Sequence, residues 1–320
     1  MSWWNCNLFS IACILCIAVG GSSALVMAQE PSLNEPIPIV EFGLSEPTID
    51  LHSNALPMAT NFHRSEPEYQ WEFLPDGLLW EPYLAAPHEP RMSMILHQRI
   101  DEGYFWDSTL GGRVGLLRYG TSQSRGAEGF QWDLEGAVIT RLNLEESEDV
   151  ESMDYRFGTL LTMARGLWSA KFGYFHVSSH VGDEYLERNP TFERVNYVTE
   201  SLIAAASFQQ SDSLRLYGEA ALALKASGGA KAWQFQTGAE FIAPVQPGKK
   251  GGPFTALNID IREAVGFEPT FTLQTGWQWR GPRSGRRFRT GFQYHNGHTS
   301  QFTFFRDEEE HIGVGIWFDY

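Results

Sequence analysis

The sequence predicts an all-β fold: a single antiparallel transmembrane β-barrel of about 12 strands, behind a signal peptide and an irregular N-terminal segment. Three observations predict it. After position 92, segments of about ten residues alternate apolar and polar side chains with period two. Short runs rich in turn residues separate these segments. Neither a long amphipathic helix nor a repeat of about 20–50 residues interrupts the pattern.

The N-terminus has a different character. MSWWNCNLFSIACILCIAVGGSSALVMAQE reads as a secretory leader. Its apolar run, Leu8 to Val19, is short for a bilayer span. Val26-Met27-Ala28 offers apolar and small positions before a cut at Gln29. The leader lacks Lys and Arg at its start, so an uncleaved anchor is the other reading. All three cysteines (Cys6, Cys13, Cys16) lie here, and neither Cys13 nor Cys16 has a lipoprotein-cleavage context. A cysteine-free mature chain excludes a disulfide scaffold, a thiol nucleophile and thiolate metal ligands. The expected organisation is 1–28 signal peptide, 29–70 Pro/Glu-rich periplasmic linker, 71–91 irregular strap or plug, and 92–320 barrel. A formal charge of −15 over 320 residues excludes nucleic acid as a partner.

Twelve strand segments follow, near 93–100, 110–119, 130–144, 153–165, 167–178, 195–209, 213–224, 232–243, 253–262, 271–280, 287–295 and 311–320. In 131–143, Trp132, Leu134, Val138 and Leu142 take one face, against Gln131, Asp133, Glu135, Arg141 and Asn143. In 271–280, Phe271, Leu273, Trp277 and Trp279 oppose Thr272, Gln274, Gln278 and Arg280. An even strand number returns both ends to the periplasm and puts the longer connections outside, as in bacterial outer-membrane barrels. Asp133, Glu135, Arg141, Arg156, Lys171, Glu219, Asp260 and Arg262 are then lumen charges that pair across a narrow interior. Residues 71–91 are placed to plug that interior from below, so a narrow channel or a purely structural barrel is the non-enzymatic alternative.

The last ten residues alternate strictly, with Ile312, Val314, Ile316, Phe318 and Tyr320 on one face. This resembles the C-terminal strand signature by which outer-membrane barrels are recognised, which implies the outer-membrane assembly machinery as a partner. The soluble alternative, a periplasmic sandwich, would leave that strand as an exposed apolar edge prone to aggregation.

One strand carries a chemical pattern. In 167–178, Trp168, Ala170, Phe172, Tyr174, His176 and Ser178 share a face, and Lys171 lies on the other. A lipid-facing Lys near the midplane costs about 2–4 kcal/mol, so Lys171 faces the lumen and His176 and Ser178 face lipid. By strand count the pair lies near the outer-leaflet interface. A His two residues from a Ser is the pairing that activates a hydroxyl nucleophile. It needs a third group to orient the imidazole, and Asn196, at the start of the next strand, is the candidate. The alternative is a strand that carries His and Ser because it is leaving the apolar zone.

The His-x-Ser at one strand end and the Asn at the start of the next resemble the outer-membrane phospholipase A family. That resemblance implies Ser178 as nucleophile, His176 as base and Asn196 as its support, with calcium supporting the oxyanion, a membrane lipid as substrate and a homodimer as the active form. Here Ser179-His180 stands where that family has Asn-Gly. Lipid A deacylases share His-x-Ser but with an acidic partner, for which Glu184 or Glu200 is available. Asp183 and Glu184, beside His180, offer hard oxygens for a calcium ion, with an ordinary polar outer loop as the alternative. The acidic run 145–151 reads as a solvated outer loop. More of the chain (79–91, 111–120, 176–185 and 215–220) is similar to an uncharacterised bacterial outer-membrane family, a domain of unknown function.

Overall fold

The computed structural model describes residues 68–320 apart from 101, 124, 247 and 249. The leader and most of the linker lie outside the described residues. Thirteen strands form one sheet: β1 (Gln70–Phe73), β2 (Met92–Arg99), β3 (Gly103–Gly120), β4 (Gly129–Asn143), β5 (Asp149–Arg165), β6 (Trp168–Val181), β7 (Val198–Gln209), β8 (Leu214–Ser227), β9 (Trp233–Ile242), β10 (Gly252–Arg262), β11 (Pro269–Arg280), β12 (Arg287–His298) and β13 (Glu308–Asp319). Strands β2 to β13 pair in sequence, each antiparallel to the next, and β13 pairs back onto β2 from Phe318↔Met92 to His311↔Arg99. The result is a closed cylinder of twelve strands, β2 to β13, with the short β1 added alongside the end of β3 from Gln70↔Gly120 to Phe73↔Leu117.

The polarity of this cylinder is inverted relative to a soluble protein. Gln131, Asp133, Glu135 and Arg141 of β4 are buried, while Trp132 on the same strand is 46% exposed and Phe130 63% exposed. Period two therefore sends charge inward and apolar groups outward. The apolar exterior carries aromatics near both ends: Trp132, Trp168, Trp277 and Phe288 at one, Tyr104, Tyr155, Trp233 and Tyr294 at the other. Such an outside suits hydrocarbon with two interfacial girdles. Among the described residues no helix is long and apolar enough to cross a membrane, so any crossing falls to the strands.

The two ends differ. The turn end has connections 121–128, 166–167, 210–213, 243–251 and 281–286. The loop end has 100–102, 144–148, 182–197, 228–232, 263–268 and 299–307; the longest of these contains a short helix, α1 (Asp183–Arg188). All twelve expected segments coincide with strands, with one large boundary difference: β3 starts at Gly103 rather than near 110, and the expected outer loop shrinks to a tight turn. Asp107 and Ser108 interrupt the apolar pattern in the sequence. Asp107 nevertheless fits a strand, because Arg141 Nε meets it at 2.7 Å inside the lumen.

Inward charges pair with one another, across neighbouring strands (Arg113 and Arg156 with Glu135), across the intervening β7 (Lys171 with Glu219) and within one strand (Arg262 with Asp260). Arg113 meets Glu135 at 2.6 Å, Arg156 meets Glu135 at 2.8 Å, Lys171 meets Glu219 at 2.6 Å, and Arg262 meets Asp260 at 2.9 Å. Between β1 and β2 the chain runs inside the cylinder. Tyr83 and Trp80 are fully buried there; Tyr83 stacks on Tyr217 with 4.0 Å between centroids and donates to Glu219 at 2.9 Å. The Leu84 amide donates to Glu240 at 2.7 Å, and its carbonyl accepts from Arg91 at 2.8 Å. His88 Nε2–H donates to the Ser300 carbonyl at 2.6 Å, and the ring stacks on Phe302. The 299–307 loop enters from the opposite end, held by Ser152 to Gln301 at 2.7 Å and Ser179 to Thr303 at 2.6 Å. The two insertions meet, and the cavity beside His88 holds only about 30 Å³.

Candidate functional site

Strand β6 places its side chains as its alternation requires. Lys171, Phe175, Val177 and Ser179 are buried in the lumen, and Phe172, Tyr174, His176, Ser178 and His180 face outward. Lys171 is fixed inward by Glu219, which in turn fixes His176 and Ser178 on the outer surface. The strand ends at Val181, and at the next residue, Gly182, an added Cβ would lie 1.7 Å from the Val150 carbonyl oxygen. Only a glycine lets the chain pass β5 so closely and turn into the 182–197 connection.

Residue His176 is paired in register with Glu200 of β7, and Ser178 with Val198. The Nδ1 atom of His176 lies 3.0 Å from Glu200 Oε1. A carboxylate only accepts, so Nδ1 carries the proton and donates. The Nε2 atom is then the basic nitrogen. The other Glu200 oxygen accepts from the Tyr174 hydroxyl. Both members of the His–Glu pair are about one-third exposed, at 33% and 28%. The pair is thus lipid-side and reachable, close to the loop end. Further along the same face, Arg194 donates to His180 Nδ1 at 3.3 Å, and His180 packs edge-on against Tyr155.

Asn196 stands elsewhere. It is exposed in the 182–197 connection, and its backbone carbonyl accepts from Ser227 Oγ at 3.4 Å. The place on His176 that the sequence reading gives to Asn196 is held by Glu200. The reason is register: Val198 lies opposite Ser178, so the residue opposite His176 is two further along. The sequence held a signal for this. Glu200 shares its face with Val198, Leu202, Ala204 and Ala206, and a carboxylate in an outward apolar set calls for a partner.

The calcium reading fits poorly. Asp183 and Glu184 are consecutive, exposed residues in the first turn of α1. Neighbours on a helix diverge by about 100° around its axis, so these carboxylates do not converge on one ion. Among the described residues, the grouping of three metal-ligating side chains is Glu268, His298 and Glu308, at the loop end of β11–β13, where His298 Nε2 already bonds Glu268 at 3.1 Å.

Comparison with known proteins gives a family. No curated protein matches the chain in sequence. Among solved structures, the chain is similar to outer membrane phospholipase A from Escherichia coli, with 10% identity, a TM-score of 0.47, and 73% of this chain and 91% of that chain covered. It is similar to a calcium-bound dimer of the Salmonella typhi outer membrane phospholipase, with 11% identity, a TM-score of 0.45, and 72% and 91% covered. A Rhodopseudomonas blastica porin variant gives 10% identity, a TM-score of 0.32, and 72% and 98% covered. A family model matches residues 63–320, which takes in every described strand, and the chain belongs to that family, described as "Protein of unknown function (DUF1207)".

Proposed function

We propose that this protein is a bacterial outer-membrane barrel that hydrolyses acyl esters of membrane lipids at Ser178, with His176 as general base and Glu200 as the residue that orients it. The observation that carries this is the 3.0 Å contact between His176 Nδ1 and Glu200 on the lipid face, two residues from a hydroxyl on that face. Glu200 selects the tautomer a base needs, and the acid in this position matches the His-x-Ser form with an acidic partner. Placement on the outside gives a lipid ester direct access from the bilayer.

Ser178 Oγ attacks the ester carbonyl while its proton passes to His176 Nε2. Collapse of the tetrahedral intermediate breaks the ester bond, and His176 returns the proton to the departing alcohol. Water then cleaves the acyl-enzyme by the same route and releases a fatty acid. Glu200 stabilises the imidazolium formed in each half. Arg194, held at His180 just beyond Ser178, supplies a cationic donor for the oxyanion. No step requires calcium. The filled lumen argues against an open channel. The longer summed connections at the loop end support an orientation with the turn end toward the periplasm and the loop end outward.

The test is active-site labelling. A lipophilic fluorophosphonate applied to the purified barrel in detergent should label Ser178. Ser178→Ala should abolish labelling, and Glu200→Gln should slow it by about 10²–10⁴-fold. Labelling that persists in Ser178→Ala, or none at all in the folded wild type, overturns the assignment.

A further inference from the structure

The turn end holds a second feature that the hydrolase reading leaves unused. Connections 121–128 and 281–286 converge there beside Glu81 and the end of β13, around a cavity of about 210 Å³. That is several times the space beside His88 and enough for a group much larger than one water.

Five arginines line it: Arg113, Arg125, Arg280, Arg286 and Arg287. Their acidic neighbours are largely committed. Arg113 is taken by Glu135 at 2.6 Å and Glu89 at 3.2 Å. Asp319 is shared by Arg91 at 3.0 Å and Arg289 at 2.7 Å. Glu81 serves both Arg287 at 2.9 Å and Arg280 at 3.6 Å. Among the described residues no carboxylate pairs with Arg125 or Arg286. Four guanidinium groups thus share Glu81 and Asp76, in a chain whose formal charge is −15. Holding like charges together at one end of an acidic protein is unfavourable unless an anion joins them.

The backbone gathers these groups. Gly285 has φ +69°, and a Cβ there would meet Arg125 Cδ at 2.9 Å, so the absent side chain makes room for Arg125 on the facing turn. Arg286 lies over the Tyr320 ring at 5.4 Å. Two guanidiniums more than nine-tenths buried keep a donor without a partner, Arg113 Nη1 and Arg287 Nε. Planar forks with spare donors around a small cavity match the tetrahedral oxygens of a phosphate.

We infer that the periplasmic mouth of the barrel binds a phosphate-type dianion between Arg125, Arg280 and Arg286. The phosphate belongs either to a soluble phosphoester or to the headgroup of a lipid in the inner leaflet. The site lies at the opposite end from Ser178 and does not depend on the hydrolase.

Calorimetric titration of the full-length barrel, in a neutral maltoside detergent, with inorganic pyrophosphate tests this. Wild type should bind saturably. Arg125→Gln/Arg286→Gln, two exposed positions, should bind at least tenfold more weakly while keeping the heat-dependent gel shift of a folded barrel. Lys231→Gln, at the loop end, should bind like wild type. Competition separates the sources: displacement by glycerol 3-phosphate indicates a soluble ester, and displacement by short-chain phosphatidic acid alone a headgroup. Absence of saturable binding to wild type overturns the inference, as does equal affinity in the double variant or an equal loss in Lys231→Gln.

Discussion

Glu200 lies in the outward-facing set of β7 beside Leu202 and Ala204, where an isolated carboxylate would have lipid for a neighbour. Its two oxygens are instead taken by His176 and Tyr174. Two alternatives for the third catalytic group make opposite forecasts. Glu200→Gln should lower turnover by about 10²–10⁴-fold, the cost of losing the group that holds the base in its tautomer. Asn196→Ala should leave turnover within about twofold, because Nδ1 is already occupied. Fatty-acid release by the two purified variants decides between them. The outward placement of His176 and Ser178 on β6 was legible in the sequence, because Lys171 fixes the phase of the strand. The orienting residue was not, since choosing between residues 196 and 200 needs the β6–β7 register, set by a 16-residue connection whose path the sequence does not reveal.

At the scale of elements, the strands were legible because lumen-facing charges keep one parity along most strands; in β3 a bulge between Gly115 and Leu117 shifts the phase and brings Arg118 inward beside Gln131. The misplaced start of β3 had the same origin as the success elsewhere: Asp107 breaks an apolar run but has an internal cation in Arg141. The interior path of residues 74–91 follows from no local pattern; it rests on side chains such as Tyr83 finding Glu219 and Tyr217 across the cylinder. Breaking one inward pair should be costly. Lys171→Met leaves Glu219 buried without its cation and should destabilise the folded barrel by about 3–5 kcal/mol. Replacing both, as Lys171→Met/Glu219→Leu, should recover part of that loss. Urea titration in detergent, followed by tryptophan fluorescence, measures both. Tyr83→Ala should loosen the inserted segment and admit small-ion conductance in a planar bilayer that wild type lacks. A conductance equal to wild type would show the lumen stays closed by the 299–307 loop alone.

For the molecule as a whole, inverted polarity is the organising fact. Paired charges are inside, the exterior is apolar and rich in aromatics, and the cylinder closes on itself, so the surface offered to the surroundings is one that hydrocarbon accommodates and water does not. Brominated lipid acyl chains should therefore quench the fluorescence of the exterior tryptophans, Trp132, Trp168 and Trp277, while Trp80 in the lumen stays protected. Under the proposed function that exterior is what gives His176 and Ser178 access to acyl chains and headgroups, where a soluble surface would offer them water. The central claim is therefore that the lipid face performs ester chemistry. The most direct measurement is fatty-acid release from mixed vesicles of phospholipid and lipopolysaccharide, with the reconstituted barrel in wild-type and Ser178→Ala forms. Release by wild type, reduced at least about 10³-fold in Ser178→Ala with the barrel still folded, is the predicted result. Equal release from the two forms, or none from a correctly inserted wild type, would contradict it.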